Sequence, residues 1–367
     1  MALSVGIVGL PNVGKSTLFN ALSMKQAEAA NYPFCTIDPN VGVVPVPDPR
    51  FAALVALEHP AKEVPATIDF VDIAGLVRGA SKGEGKGNAF LSHVRDANAI
   101  AHVVRCFEDP EIVHVDGKVD PVADIETIQT ELALKDLDSV TRRLDSATRA
   151  AKGGDPEARA TAALCERLRA VLDRGEPVLG IAIDDERERA VFRELQLLTA
   201  KPTFFVANVA ERQLATRAND PLVQKVRAVA ERQHAPCEVI CASIEAEIMQ
   251  LPPAERPAFL ESVGLEEPSL HQVIRTGYGL LDLITFFTSG PKEVHAWNVR
   301  RGAKAPEAAG KIHSDFERGF IRAEVMACED LLRLGSEAAC RAAGKLAIEG
   351  KDYVVRDGDV VHFRFAV

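Results

Sequence analysis

Gly9-Leu10-Pro11-Asn12-Val13-Gly14-Lys15-Ser16 follows directly on the apolar run Leu3 to Val8 and fits G-x-x-x-x-G-K-[ST] at every position. In this pattern the glycines let backbone N–H groups curl around the α- and β-phosphates of a nucleotide. Lys15 reaches the β/γ oxygens, Ser16 ligates Mg²⁺, and the helix read from Ser16 to Met24 turns its positive N-terminal end to the anion. A strand-to-helix turn carrying a glycine and an ordinary lysine needs only some of these positions, and here all are filled. Asn12, Val13, Gly14, Lys15, Ser16 and Thr17 are therefore candidate phosphate-binding residues, and the ligand is a nucleoside di- or triphosphate.

Working outward, Thr67 to Asp72 reads as a strand that runs into Asp72-Ile73-Ala74-Gly75. In switch-type nucleotide hydrolases the Asp of such an Asp-x-x-Gly holds the Mg²⁺ shell, and the Gly N–H senses the γ-phosphate. Asp72 and Gly75 take those roles here. Between the two motifs lies Phe34-Cys35-Thr36-Ile37, flanked by Pro33 and Pro39, and Thr36 is the expected second protein ligand to Mg²⁺. The glycine-rich stretch Leu76 to Asn88 is expected to order and disorder with the γ-phosphate. Leu76 occupies the place where many such enzymes carry the glutamine that orients water, so hydrolysis must use another group or be slow.

Guanine readers carry Asn-Lys-x-Asp at a strand end. The strand Pro202 to Ala207 ends instead in Asn208-Val209-Ala210-Glu211, with Val209 in the lysine place and Glu211 in the aspartate place. The longer Glu211 would sit where the guanine edge belongs, while Asn208 can pair with an adenine N6/N7 edge. The strand Cys237 to Cys241 leads into Ser243, where backbone amides back the base. ATP is favoured over GTP. Asn12, two residues before Gly14, is a further candidate: some related loops use an asparagine carbonyl there to seat K⁺ near the β/γ bridge.

Composition bounds the rest. The chain has 367 residues, enough for two or three domains, and no run of 18 apolar residues that would span a membrane. The N-terminus shows no basic region or cleavage site of a signal peptide. Seven scattered cysteines form no C-x-x-C pair and suit thiols in a reducing cytoplasm. A net charge of −10 argues against coating nucleic acid non-specifically.

The expected fold is α/β, a mixed or parallel sheet with helices on both faces, over residues 1–124 and 200–280. Within it, residues 125–199 read as a helical insertion. Ile125, Ile128, Leu132, Leu137, Val140 and Leu144 recur at helical spacing, Gly153-Gly154 ends that helix, and Asp155 caps a return helix opened by Pro156. Residues 281–367 are neutral, with 13 Lys plus Arg against 13 Asp plus Glu. Strands at Ile284–Thr288 and Val294–Val299, a helix at Ala305–Phe316 and a closing hairpin of Tyr353–Val355 with Val360–Phe365 give a small β-grasp layout. The turn Arg300-Arg301-Gly302-Ala303-Lys304 and nearby Trp297 could meet RNA, or be a core Trp beside a solvated turn.

Gly9–Thr17, Asp72–Ala80, Asn208–Glu211 and the C-terminal segment together resemble the Obg-like ATPases of the YchF type, over essentially the whole chain. The resemblance implies a P-loop GTPase-like domain, a coiled-coil insertion and a terminal ubiquitin-like TGS domain. It implies ATP hydrolysis in the cytoplasm, linked to translation through the ribosome (the large subunit or the 70S particle), with RNA met by the TGS domain and the helical arm. The hydrophobic Leu76 fits a group thought to use other residues on water, and a histidine in a loop like Ile112–Asp120 is that family's candidate; here it is His114. Two functions fit: a slow Mg²⁺-dependent ATPase stimulated by the ribosome, or a nucleotide-gated binding switch in which ATP occupancy is the signal.

Overall fold

The computed structural model describes residues 3–28, 40–73, 86–114, 117–183 and 185–366. From the N-terminus the elements are β1 (Ser4–Val8), α1 (Lys15–Glu28), β2 (Val41–Pro45), α2 (Pro49–Glu58), β3 (Glu63–Val64), β4 (Thr67–Asp72), α3 (Lys86–Asp96) and β5 (Ala99–Arg105). Then come α4 (Pro121–Ala151), α5 (Pro156–Leu172), α6 (Glu186–Leu195), β6 (Thr203–Asn208), α7 (Pro221–Arg232) and β7 (Cys237–Ile240). Helices α8 (Ala242–Gln250), α9 (Arg256–Ser262) and α10 (Ser269–Leu280) precede β8 (Leu283–Thr288) and β9 (Val294–Arg300). The chain ends with α11 (Ala305–Ile312), α12 (Ser314–Arg318), β10 (Phe320–Ala327), α13 (Cys328–Leu334), α14 (Glu337–Ala342), β11 (Ala347–Glu349) and β12 (Asp359–Phe365). None of the described helices is long and apolar enough to cross a membrane.

The first of two compact units is built on a six-stranded sheet ordered β2-β4-β1-β5-β6-β7. β1 pairs in parallel with β4 and β5, and β5–β6 and β6–β7 are also parallel. All seven residues of β5 are buried, as a strand covered by helices on both faces requires. The C-terminal ends of β1, β4, β5 and β6 thus share one edge of the sheet. The helical hairpin is inserted between the adjacent strands β5 and β6. It starts at Pro121, a turn before Ile125, because Asp120 caps the helix by accepting the Val122 N–H. Its own core is Val140, Leu144, Leu164, Cys165, Leu168 and Leu172, joined by residues Val178 and Leu197. α6, a third helix of the insertion, had no signal in the apolar spacing; its described side chains include none that is buried.

The second unit has the strand order β11-β10-β12-β8-β9-β3. β8 and β9 form an antiparallel hairpin, and β12 lies between β8, to which it is parallel, and β10, to which it is antiparallel. This is the β-grasp arrangement, with α11 packed on the sheet through Ala305, Ala308 and Ala309. The expected closing hairpin does not form: Val354 makes only an isolated bridge to Lys304, and β12 takes β10 as its partner. β10 escaped the alternation pattern because a bulge between Phe320 and Arg322 interrupts it. Residues 43–68, placed by sequence with the nucleotide domain, group with this unit instead. β3 adds to the edge of β9, and Arg50 bridges Asp48 to Asp357.

Candidate functional site

The loop after β1 works only with glycine at two places. A Cβ on Gly9 would stand 2.5 Å from the Val103 carbonyl oxygen, and one on Gly14, where φ is +98°, would enter the Asn208 amide. Lys15 is 7% exposed, and its Nζ donates to the Leu10 carbonyl at 2.7 Å. Burial lowers its pKa to about 8 against the opposing pull of Asp72. The Asp72 carboxyl is raised by burial and lowered in part by Lys15, and its Oδ1 is buried with no hydrogen-bond partner among the described residues. A buried carboxylate oxygen left without a donor, beside a lysine, fits a divalent cation or its hydration shell. Ser16 and Thr17 are exposed at the start of α1, while the Val13 side chain is buried. Under the loop, His102 of β5 is buried beside Phe205, and burial drops its pKa to about 3, so it adds no charge.

At the base end, Asn208 is anchored to the protein through both polar atoms. It is 4% exposed; its Nδ2 donates to the Val13 carbonyl at 2.9 Å and its Oδ1 accepts the Ala242 N–H at 3.0 Å. The amide ties the phosphate loop to the start of α8, with one N–H and one lone pair committed to the protein. Val209 is likewise turned inward, into the core with Ile244 and Val223. Glu211 is exposed just after β6 and Ser243 is exposed in the first turn of α8, with its Oγ 3.2 Å from Cys241 Sγ.

The segment from Phe107 to His114 is anchored by side chains on β5, the phosphate loop and α4. Arg105, 1% exposed, donates from Nε to the Phe107 carbonyl and from Nη1 and Nη2 to that of Ile112, and its guanidinium lies over the Phe107 ring. Asn12 Nδ2 reaches across from the phosphate loop to the Val113 carbonyl at 3.1 Å. His114 is not a surface histidine: it is 8% exposed, with Nε2 3.1 Å from Asp124 Oδ2.

Comparison with known proteins follows this geometry. A relative from Haemophilus influenzae, "Ribosome-binding ATPase YchF", is 53% identical over 367 residues and covers all of both chains. The chain belongs to the YchF family. A Bacillus subtilis YchF of the same printed name is 52% identical over the full length of both, and Obg-like ATPase 1 of Pongo abelii is 44% identical over 99% of this chain and 92% of its own. The solved structure of the Schizosaccharomyces pombe YchF GTPase superposes with a TM-score of 0.89 at 39% identity, covering 99% and 97% of the two chains. The family model MMR_HSR1, "50S ribosome-binding GTPase", matches residues 4–140, and YchF-GTPase_C, described as a protein of unknown function, matches 283–366.

Of the residues that sequence singled out in this YchF chain, the fold brings together Asn12–Thr17, Asp72, Asn208 and His114's loop. Thr36, Gly75, Leu76 and most of the glycine-rich stretch lie outside the described residues. Arg105, His102 and Asp124 went unread. An arginine closing the apolar strand Ile100–Arg105 was the one available signal, since an arginine buried there needs acceptors. In the C-terminal unit, Arg301 and Lys304 are paired with Asp282 and Asp352, and Trp297 stacks on His295 and donates to Thr288 Oγ1. Trp297 is partly buried against the sheet core, and the paired cations of the turn remain exposed.

Proposed function

We propose that this chain is a Mg²⁺-dependent ATPase that works at the ribosome in the cytoplasm. The observation that carries it is the pair at the heart of the loop: a buried Lys15 beside an Asp72 whose Oδ1 has no donor. Ser16 and Asp72 would hold Mg²⁺, with Thr36 as the further ligand. The ion supplies neutralisation of charge on the β- and γ-phosphates when bound. Lys15 leaves the Leu10 carbonyl for the phosphate oxygens, and the loop N–H groups orient the chain of phosphates for in-line attack. Asn12 Oδ1, which accepts no hydrogen bond among the described residues, is the candidate ligand for K⁺. The printed names of the relatives support ATP and the ribosome as partners. With Asn208 and Val209 turned inward, ATP preference rests on Glu211, which cannot offer guanine the aspartate geometry, and on the amides around Ser243. The helical arm and the turn at Arg300–Lys304 are the two candidate surfaces for ribosomal RNA.

A second reading, the nucleotide-gated switch, is favoured by one observation: His114, the candidate to act on water, is bound to Asp124. Turnover with and without purified ribosomes separates the two. We expect ATP to bind at least ten-fold tighter than GTP, about 1.4 kcal/mol, and hydrolysis to require Mg²⁺, run faster in K⁺ than in Na⁺, and rise with ribosomes. Equal affinities would remove the base assignment, and an unstimulated rate would leave the switch. Identical rates in the two salts would reduce Asn12 to a turn residue.

A further inference from the structure

Ile112, Val113 and His114 are consecutive, and each is held by a different element. Arg105 on β5 binds the Ile112 carbonyl at 3.0 and 3.1 Å, Asn12 of the phosphate loop binds the Val113 carbonyl at 3.1 Å, and Asp124 binds His114 at 3.1 Å. Asp124 is 2% exposed in the first turn of α4. Three residues thus join the strand under the site, the phosphate loop and the base of the helical arm. From Asp124, α4 continues unbroken to Ala151, about 40 Å at 1.5 Å per residue. The Gln129 and Gln233 amides bond each other and tie α4 to α7 just beyond Asp124.

We propose that Asp124 is a positioning residue for hydrolysis: it keeps His114 in the interior until a partner bound to the arm displaces the carboxylate, which frees the imidazole toward the nucleotide. The proposal rests on the ATPase reading above and names how that site is regulated. In the step itself, water attacks the γ-phosphorus and the bond to the β/γ-bridging oxygen breaks. The freed imidazole takes the water's proton, ADP departs, and the proton passes on to phosphate or solvent. The same movement draws the Val113 carbonyl off Asn12, so the phosphate loop registers the event.

The test uses the full chain, with ATP and purified ribosomes. Asp124→Ala is expected to raise the ribosome-free rate at least five-fold and to shrink ribosomal stimulation by a similar factor, with ATP affinity within about three-fold. Adding His114→Ala to it is expected to abolish the rise. Asp124→Asn, which keeps a hydrogen bond to the ring, should give a smaller rise and covers the case in which the alanine variant does not fold. A wild type stimulated by ribosomes, with well-folded Asp124 variants no faster than wild type without them, overturns the proposal. So does a double variant as fast as Asp124→Ala. A wild type that hydrolyses no ATP under either condition overturns the ATPase reading, and this proposal with it.

Discussion

Asn208 commits both polar atoms to the protein, one to Val13 and one to Ala242. Removing it leaves a buried carbonyl and a buried N–H without partners, which costs about 1–3 kcal/mol each. Asn208→Ala should therefore weaken ATP and GTP alike and lower the melting temperature. A change in the ATP-to-GTP ratio, measured by calorimetry, would restore a base-reading role. Lys15 gives a pH dependence. With its pKa lowered to about 8 in the nucleotide-free protein, it is neutral above that pH, and a bound polyanion must recharge it by taking up a proton. ATP affinity should fall as pH rises past about 8, by up to ten-fold per unit. At pH 9, binding heats should differ between buffers of unlike ionisation enthalpy; equal heats would show the amine already charged. Lys15, Ser16 and Asp72 were legible because motif spacing alone specifies their chemistry. Asp124 and Arg105 were not, because their roles depend on acceptors that only the folded loop brings to them.

The hairpin α4–α5 is the element most fully written in the sequence. Its apolar spacing, the glycine pair at its turn and the Asp155 cap, which accepts the Glu157 N–H at 2.9 Å, all appear where the pattern put them. Its stability sits in a core of its own, so it can be weakened apart from the nucleotide site. Leu168 is fully buried there. Leu168→Ala should destabilise the hairpin by about 2–5 kcal/mol and speed amide exchange in α4 and α5, while ATP affinity stays within about two-fold. A parallel loss of affinity would mean that the arm's packing shapes the site directly. β10 and the segment Tyr353–Val355 mark the limit of legibility at this scale. A bulge hid a real strand, and strand-like residues beside a turn settled for a single bridge. Pairing with distant strands decides between such segments, and propensity does not carry that information.

Across the whole chain, domain boundaries were the least readable property, since nothing local in residues 43–68 announces that their partners come last. Arg50 is central to that partnership. It bonds Asp48 and Asp357, each at 2.7 Å, and lies over the Phe287 ring. With a third of the side chain exposed, solvent screening limits its contribution, and Arg50→Ala should cost about 1–2 kcal/mol. Calorimetry should show a lower melting transition with ATP affinity unchanged; an unmoved transition would make the bridge a surface ornament. The route of the chain also sets a timetable for its birth. β3 emerges roughly 230 residues before the β9 edge it adds to, an interval on the order of ten to fifty seconds of synthesis. Throughout that interval an early stretch of the chain waits with its pairing edge exposed to chaperones and to other nascent chains. A message broken in its last quarter therefore yields more than a protein without a tail: it strands a piece of the first quarter that has already been made.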